Sequence, residues 1–150
     1  MGENYLIFML SVLSLISSCT KDKLDSFQSE NGIIGKWIWV KSEGGICYHT
    51  ETPEESGIER IFLFKESDTV EKYENNKLIH KTDYFFSKER SILYHDTLEF
   101  LTINYKYQIS NPDSIVTIPT RYIIRKITDT LLLEEDIFDG YKHTYKREQE

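Results

Sequence analysis

Along most of this chain apolar and polar side chains alternate every second residue, the period of a strand with one buried face. From Gly35 onward, "KWIWVKS" sets Trp37 and Trp39 against Ile38 and Val40, and "IERIFLFK" carries a continuous apolar run from Ile61 to Phe64. "TVEKYE" leads into Glu74-Asn75-Asn76-Lys77, and "LIHKTDYFFS" returns from it. Asparagine tolerates the left-handed backbone of a tight turn, so this pair predicts a hairpin. Further strands are predicted around "LEFLTI", "YKYQIS" and "SIVTI". Three more, "TRYIIRKI", "TLLLEED" and "GYKHTYKR", close the chain, with Thr128-Asp129 and Phe138-Asp139-Gly140 as connections. The stretch from Asn104 to Asp113 reads as strand or as loop, which leaves the facing of Tyr105 and Tyr107 open. No window beyond the N-terminal apolar run shows an amphipathic helical period. About eight to ten short strands joined by local turns predict an all-β, antiparallel up-and-down barrel, because closure removes the unpaired edges an open sheet would leave.

Composition agrees with a single globular domain: 150 residues, 39% hydrophobic and 13% aromatic, led by ten tyrosines. Large rings pack well on a half-buried pleated surface. The formal net charge of −7, with basic residues thinly spread, excludes a nucleic-acid partner, since such binding needs clustered Lys and Arg to neutralise phosphates.

The first residues carry a different pattern. Tyr5 to Ile16, "YLIFMLSVLSLI", has the length of a signal-peptide apolar region and falls short of the ~20 residues that span a bilayer as a helix. The following Ile16-Ser17-Ser18-Cys19 lacks an Ala-x-Ala cleavage site and resembles a bacterial lipobox. It departs from a typical signal peptide in that "MGEN" carries Glu3 and no Lys or Arg. The resemblance implies cleavage before Cys19 and acylation of that cysteine with palmitate-type chains, and two such chains suffice for durable membrane binding. The chain thus divides into a signal peptide (1–18), a lipidated N-terminus and tether (19–34) and a β-domain (35–150). If Cys19 is acylated, Cys47 has no partner, and the domain folds without an intramolecular disulfide. Cys47 then reads as a structural cysteine, with His49 its only nearby base. Lys21-Asp22 loosely resembles the export signal of surface-exposed lipoproteins, so an outer-membrane protein facing either the periplasm or the outside is implied.

Gly35-Lys36-Trp37 resembles the Gly-x-Trp motif of lipocalins, in which the tryptophan closes the barrel base beneath an arginine from the last strand. Arg147 in "YKR" is the matching residue. More widely, "GKWIWVKSEGG", "TPEESGIERIFLF", "TVEKYENNKLI" and "DTLLLEEDIFDGYKHTYKR" resemble the lipocalin-like domains of small Bacteroidetes-type outer-membrane lipoproteins. That resemblance implies fold and location and brings no catalytic residues. If Arg147 points inward, alternation turns Tyr145, His143 and Tyr141 inward as well and Lys142, Thr144 and Lys146 to solvent. Trp37, Trp39, Leu131 and Leu133 join that interior. Trp39, Leu131, Leu133, Tyr141, His143 and Tyr145 are therefore candidates to line a pocket for a small hydrophobic or aromatic ligand. In the alternative, they fill a narrow barrel and the protein is a non-catalytic accessory lipoprotein of the cell envelope.

Other chemistry is sparse. His49, His80, His95 and His143 match no metal-ligand spacing, and no nucleophile elbow or phosphate-binding glycine loop occurs, so no catalytic, cofactor or metal residue is assigned. Glu51, Glu54 and Glu55 around Pro53 read as a solvated loop. Glu134 and Asp136 are expected to share the outer face and to repel each other mildly unless solvated.

Overall fold

The structure, a computed structural model, describes residues 32–109 and 114–149. The signal segment, Cys19 and the tether up to residue 31 lie outside the described residues. The elements are β1 (Gly35–Gly44), β2 (His49–Glu51), a one-turn helix α1 (Pro53–Ser56), β3 (Arg60–Lys65), β4 (Thr69–Glu74), β5 (Lys77–Arg90), β6 (Thr97–Gln108), β7 (Ile115–Ile127), β8 (Thr130–Glu135) and β9 (Tyr141–Arg147).

Each strand pairs antiparallel with its neighbours in the order β2-β1-β3-β4-β5-β6-β7-β8-β9, and β9 pairs back onto β1. On its other side, β1 pairs with β3 through Gly35–Ile38 and with β2 through Ser42–Gly44. β2 and β3 thus share one position, and the result is a closed, antiparallel up-and-down barrel of eight strands, consistent with a lipocalin-like barrel. α1 fills the break between β2 and β3, in the stretch expected to be loop. Thr52 caps it through Oγ1, which accepts the Glu55 N–H, and Gly57 ends it in the left-handed conformation. The Asn75-Asn76 hairpin forms with positive φ at both asparagines, as the turn chemistry requires.

Two pairs of expected strands run together. "LEFLTI" and "YKYQIS" are one strand, β6, and "SIVTI" and "TRYIIRKI" are one strand, β7. Within β6, Tyr105 points inward and is 6% exposed, whereas Tyr107 stands at the rim. The inner face is packed with Trp37, Trp39, Phe62, Phe64, Tyr84, Leu101, Ile103, Leu131, Leu133 and Tyr145. Rings meet in tilted and edge-on pairs, Phe62 with Tyr145 at 5.1 Å and Phe64 with Tyr84 at 5.0 Å between centroids.

One end is shut by the residues the Gly-x-Trp motif singles out. Arg147 Cζ lies 4.2 Å from the centre of the Trp37 ring, and its Nη1 donates to the Ile34 carbonyl at 2.7 Å while Nη2 donates to that of Gly32. The Trp37 indole N–H donates to the Ile33 carbonyl at 2.6 Å. Gly35 is required here: its φ is +124°, and a Cβ would sit 3.1 Å from Arg147 Nη1.

The outer face carries a second layer that the sequence does not announce. Phe100 and Ile123 are fully buried yet lie outside the interior cluster. The loop Ser91–Asp96 is tied down beside them. Asp136 accepts hydrogen bonds from Ser91 Oγ at 2.6 Å, from the Ile92 and Leu93 amides, and from Arg121 Nη2 at 3.0 Å. Glu134 accepts from the Tyr94 hydroxyl at 2.8 Å and from Arg125 Nε, and Lys142 lies 3.5 Å away. Arg121 stacks over Phe100 and Arg125 over Tyr94. Glu134 and Asp136 share the outer face as expected, but solvent is not what relieves their repulsion: both are buried, and each has its own arginine. The solvated reading of the Glu51 loop is corrected in part as well, since Glu51 forms a bidentate pair with Arg60 while Glu54 and Glu55 remain exposed. Cys47 is exposed in a turn and packs against no core.

Two outcomes follow. Arg147→Ala removes a cation-π contact and two charge-assisted bonds, so the melting temperature read by circular dichroism falls by about 10 °C or more. An unchanged value would mean that Arg147 points into solvent. The second concerns acid. Burial raises the Asp136 carboxyl, but Ser91, the two amides and Arg121 outweigh it and hold it below its ordinary value. Hydrogen bonds from Lys65 and Tyr73 bring Glu71 down to about 2. Lowered carboxylates stabilise fully above their unfolded value near about 4 and lose that contribution as pH falls through the folded value. Thermal stability is therefore flat above about pH 5 and declines from about pH 4 toward 2, and Asp136→Ala removes part of the decline. A decline that begins near neutrality would contradict this account.

Candidate functional site at the open end

At the end opposite the arginine clamp, the interior turns polar. The switch begins with a β-bulge in β1 between Trp39 and Lys41, where the register against β9 slips by one residue. Up to the bulge Trp37 and Trp39 face inward; beyond it Ser42 and Gly44 do, and Lys41 does not. Ser42 is 2% exposed and lies opposite His143 of β9.

The donors fix how this group is bonded. The Trp39 indole N–H can only donate, and it lies 2.9 Å from Ser42 Oγ. Ser42 Oγ accepts from Trp39 and lies 2.8 Å from His143 Nδ1. The Glu135 carboxylate can only accept, and its Oε1 faces His143 Nε2 at 3.4 Å, so the neutral ring carries its proton on Nε2 and Nδ1 accepts from the Ser42 hydroxyl. Glu135 Oε2 in turn accepts the Tyr141 amide at 3.0 Å. The His143 contact lowers the Glu135 carboxyl, and it prevails over burial with help from the Tyr141 amide. Tyr141 stacks beside His143, and Tyr122 meets it edge-on at 5.8 Å. Burial pushes the Tyr105 and Tyr145 hydroxyls up, and pushes Tyr122 up to about 12, so these phenols are neutral near pH 7.

A hydroxyl, an imidazole and a carboxylate in series is the order that activates a nucleophile. Here the order lacks the surroundings a nucleophile needs. Ser42 is covered, one of its lone pairs is taken by Trp39, and Arg60 lies across the same indole at 4.2 Å. An open crevice on the Arg60 side, lined by Arg60, Ile61, Phe62, Lys72 and Tyr145, spans about 120 Å³ including its solvent-exposed part. The network satisfies polar groups that the barrel would otherwise bury unpaired.

Of the predicted interior residues, Trp39, Leu131, Leu133 and Tyr145 are buried side by side in the packed core. Tyr141 and His143 stand half-buried at its mouth. Sequence reasoning found His143 by strand parity but missed Ser42 and Glu135. Ser42 turns inward only because of the bulge, for which the sequence carries no plain signal. Among the described residues, no group of three His, Cys, Asp or Glu side chains is placed to hold a metal ion. Compared with protein-family models, with curated proteins and with solved structures, the chain matches none.

The bonding order is open to direct measurement. Nitrogen-15 NMR of His143 shows the neutral ring protonated on Nε2. Ser42→Ala leaves the Trp39 N–H unpaired and costs about 1–2 kcal/mol in a denaturant titration. A proton on Nδ1 would reverse the assignment.

Proposed function

We propose that this chain is a membrane-anchored lipoprotein of the outer membrane, acylated at Cys19, whose barrel is filled by its own side chains and which works by non-catalytic contact through its open end. One observation favours this over a ligand carrier: of the residues expected to line a pocket, Trp39, Leu131, Leu133 and Tyr145 pack against one another in the core.

The observation that carries the reading is the placement of exposed apolar side chains. In a meander, alternate connections lie at the same end of the barrel. The β1–β2, β4–β5, β6–β7 and β8–β9 connections all lie opposite Gly35, where β1 begins. In or next to each are exposed apolar residues: Ile46 and Tyr48, Leu78 and Ile79, Ile109 and Ile115, and Ile137 and Phe138; the β5–β6 loop exposes Ile92 and Tyr94 as well. A rim of loops crowned this way is a surface suited to a protein or membrane partner in the envelope.

Native mass spectrometry of the chain purified from a bacterial envelope tests the reading. The expected species begins at an acylated Cys19 and carries no further small molecule. Cys19→Ala is expected to leave the membrane fraction or to remain unprocessed. A co-purifying apolar compound of reproducible mass, displaced by fatty acids with a change in tryptophan fluorescence, would return the protein to the carrier class.

A further inference from the structure

Barrel closure leaves several stretches of strand edge unpaired among the described residues, and the one at the start of β7 is the most apolar and exposed. Toward β6, β7 is paired from Ile115 to Ile123; toward β8 it is paired only from Tyr122 to Ile127. Its first half therefore runs past the barrel as the outer strand of a two-stranded ribbon. Ile115, Val116 and Ile118 there are 67%, 39% and 49% exposed.

The direction of the free backbone groups follows from the hairpin. The Ile109 N–H donates to the Ser114 carbonyl at 3.0 Å, so these two form a hydrogen-bonded pair. In an antiparallel ladder such pairs alternate with non-bonded ones. Val116, Ile118 and Thr120 therefore bond toward β6, and Ile115, Thr117 and Pro119 present their backbone groups to the open edge. Pro119 agrees with this, because proline is tolerated in a strand where its missing N–H would have faced solvent.

We propose that this edge pairs with the same edge of a second copy of the chain, antiparallel, about a two-fold axis at Val116. In that register Ile115 and Thr117 exchange their N–H and C=O groups with Thr117 and Ile115 of the second copy, and Pro119 lies outside the bonded pair. The free groups are thus complementary to themselves, as an isologous contact demands. Charge favours the same occupant. The chain carries −7, yet Ser114 to Thr120 contain no charged side chain, and the charge that faces them from β6, Lys106 opposite Thr117, is paired with Asp83, so the edge strands of two copies meet without like charges side by side. Tyr107 lies opposite Val116, and Tyr105 opposite Ile118, so pairing joins two apolar strips into one continuous face. The inference does not depend on acylation of Cys19 or on the partner of the rim.

Disulfide trapping in a Cys47→Ser background of the full chain tests the register. Val116→Cys places two thiols in a non-bonded pair with Cα atoms about 4.5 Å apart, within disulfide range. Ile118→Cys places them roughly 13 Å apart along the strand. The first is expected to give a covalent dimer under mild oxidant, and the second to behave like the parent. Thr117→Pro removes an N–H that β6 does not use, so near-ultraviolet circular dichroism stays native while sedimentation in density-matched detergent shows association weakened roughly tenfold or more. Equal trapping of the two cysteine variants, or association untouched by Thr117→Pro, overturns the proposal. So does a monomer whose edge holds an extended segment of another protein.

Discussion

The seam between β1 and β9 is the constraint on which the rest depends. It closes the barrel, and the bulge within it decides which side chains share the interior. Without the bulge between Trp39 and Lys41, strict alternation would carry the Lys41 ammonium inward and Ser42 outward. A buried ammonium lacking a partner is far costlier than a buried hydroxyl that is bonded on both sides. The seam also leaves no room at its end: Gly44 has φ +153°, and a Cβ there would collide with the Gly140 carbonyl. The turn into β9 can approach the end of β1 only because position 44 is glycine, and Gly140 is in turn free of a Cβ that would press on Glu135 and Ile137.

Along this seam two tryptophans are stacked beneath two arginines, Trp37 with Arg147 at the closed end and Trp39 with Arg60 toward the open end, each at 4.2 Å. A guanidinium over an indole face covers apolar surface while keeping its own donors available. Arg147 spends them on backbone carbonyls of the entering chain, and Arg60 on Glu51. The core is therefore bounded at both ends by planar cations with their hydrogen bonds satisfied. The outer layer follows the same rule, with Arg121 on Phe100 and Arg125 on Tyr94, each paired to a buried carboxylate.

Much of the barrel was legible because strand parity is a local property. Trp37, Trp39, Leu131, Leu133 and Tyr145 lie on the expected face, and Arg147 meets Trp37 as the motif implies. What escaped the reading depends on contacts distant in sequence. Nothing near Glu134 or Asp136 reveals that a loop some forty residues earlier folds over them, although Asp136 with Ser91 and Glu134 with Tyr94 are separated by 45 and 40 residues. Bulges escaped for a related reason. Lys41-Ser42 continues the alternation acceptably by composition, and only the register with β9 exposes the slip. The boundaries of β6 and β7 failed differently: both strands outrun the barrel wall, so their tips lose the alternation that burial imposes.

A filled interior shifts any recognition to the ends, and the two ends differ in kind. At the closed end Ile33 is buried, and Ile34 and Gly32 are held by Arg147, so the chain enters the domain where the backbone is most tightly fixed. An anchor at Cys19 would pull on this clamp through a tether of about fifteen residues, which reaches at most about 50 Å when extended. The apolar connections and the free edge of β7 lie at the opposite end. Under the proposed anchoring, the barrel is held by its base and presents its adhesive surfaces away from its own attachment point. Mechanical load and recognition would then be carried by different residues.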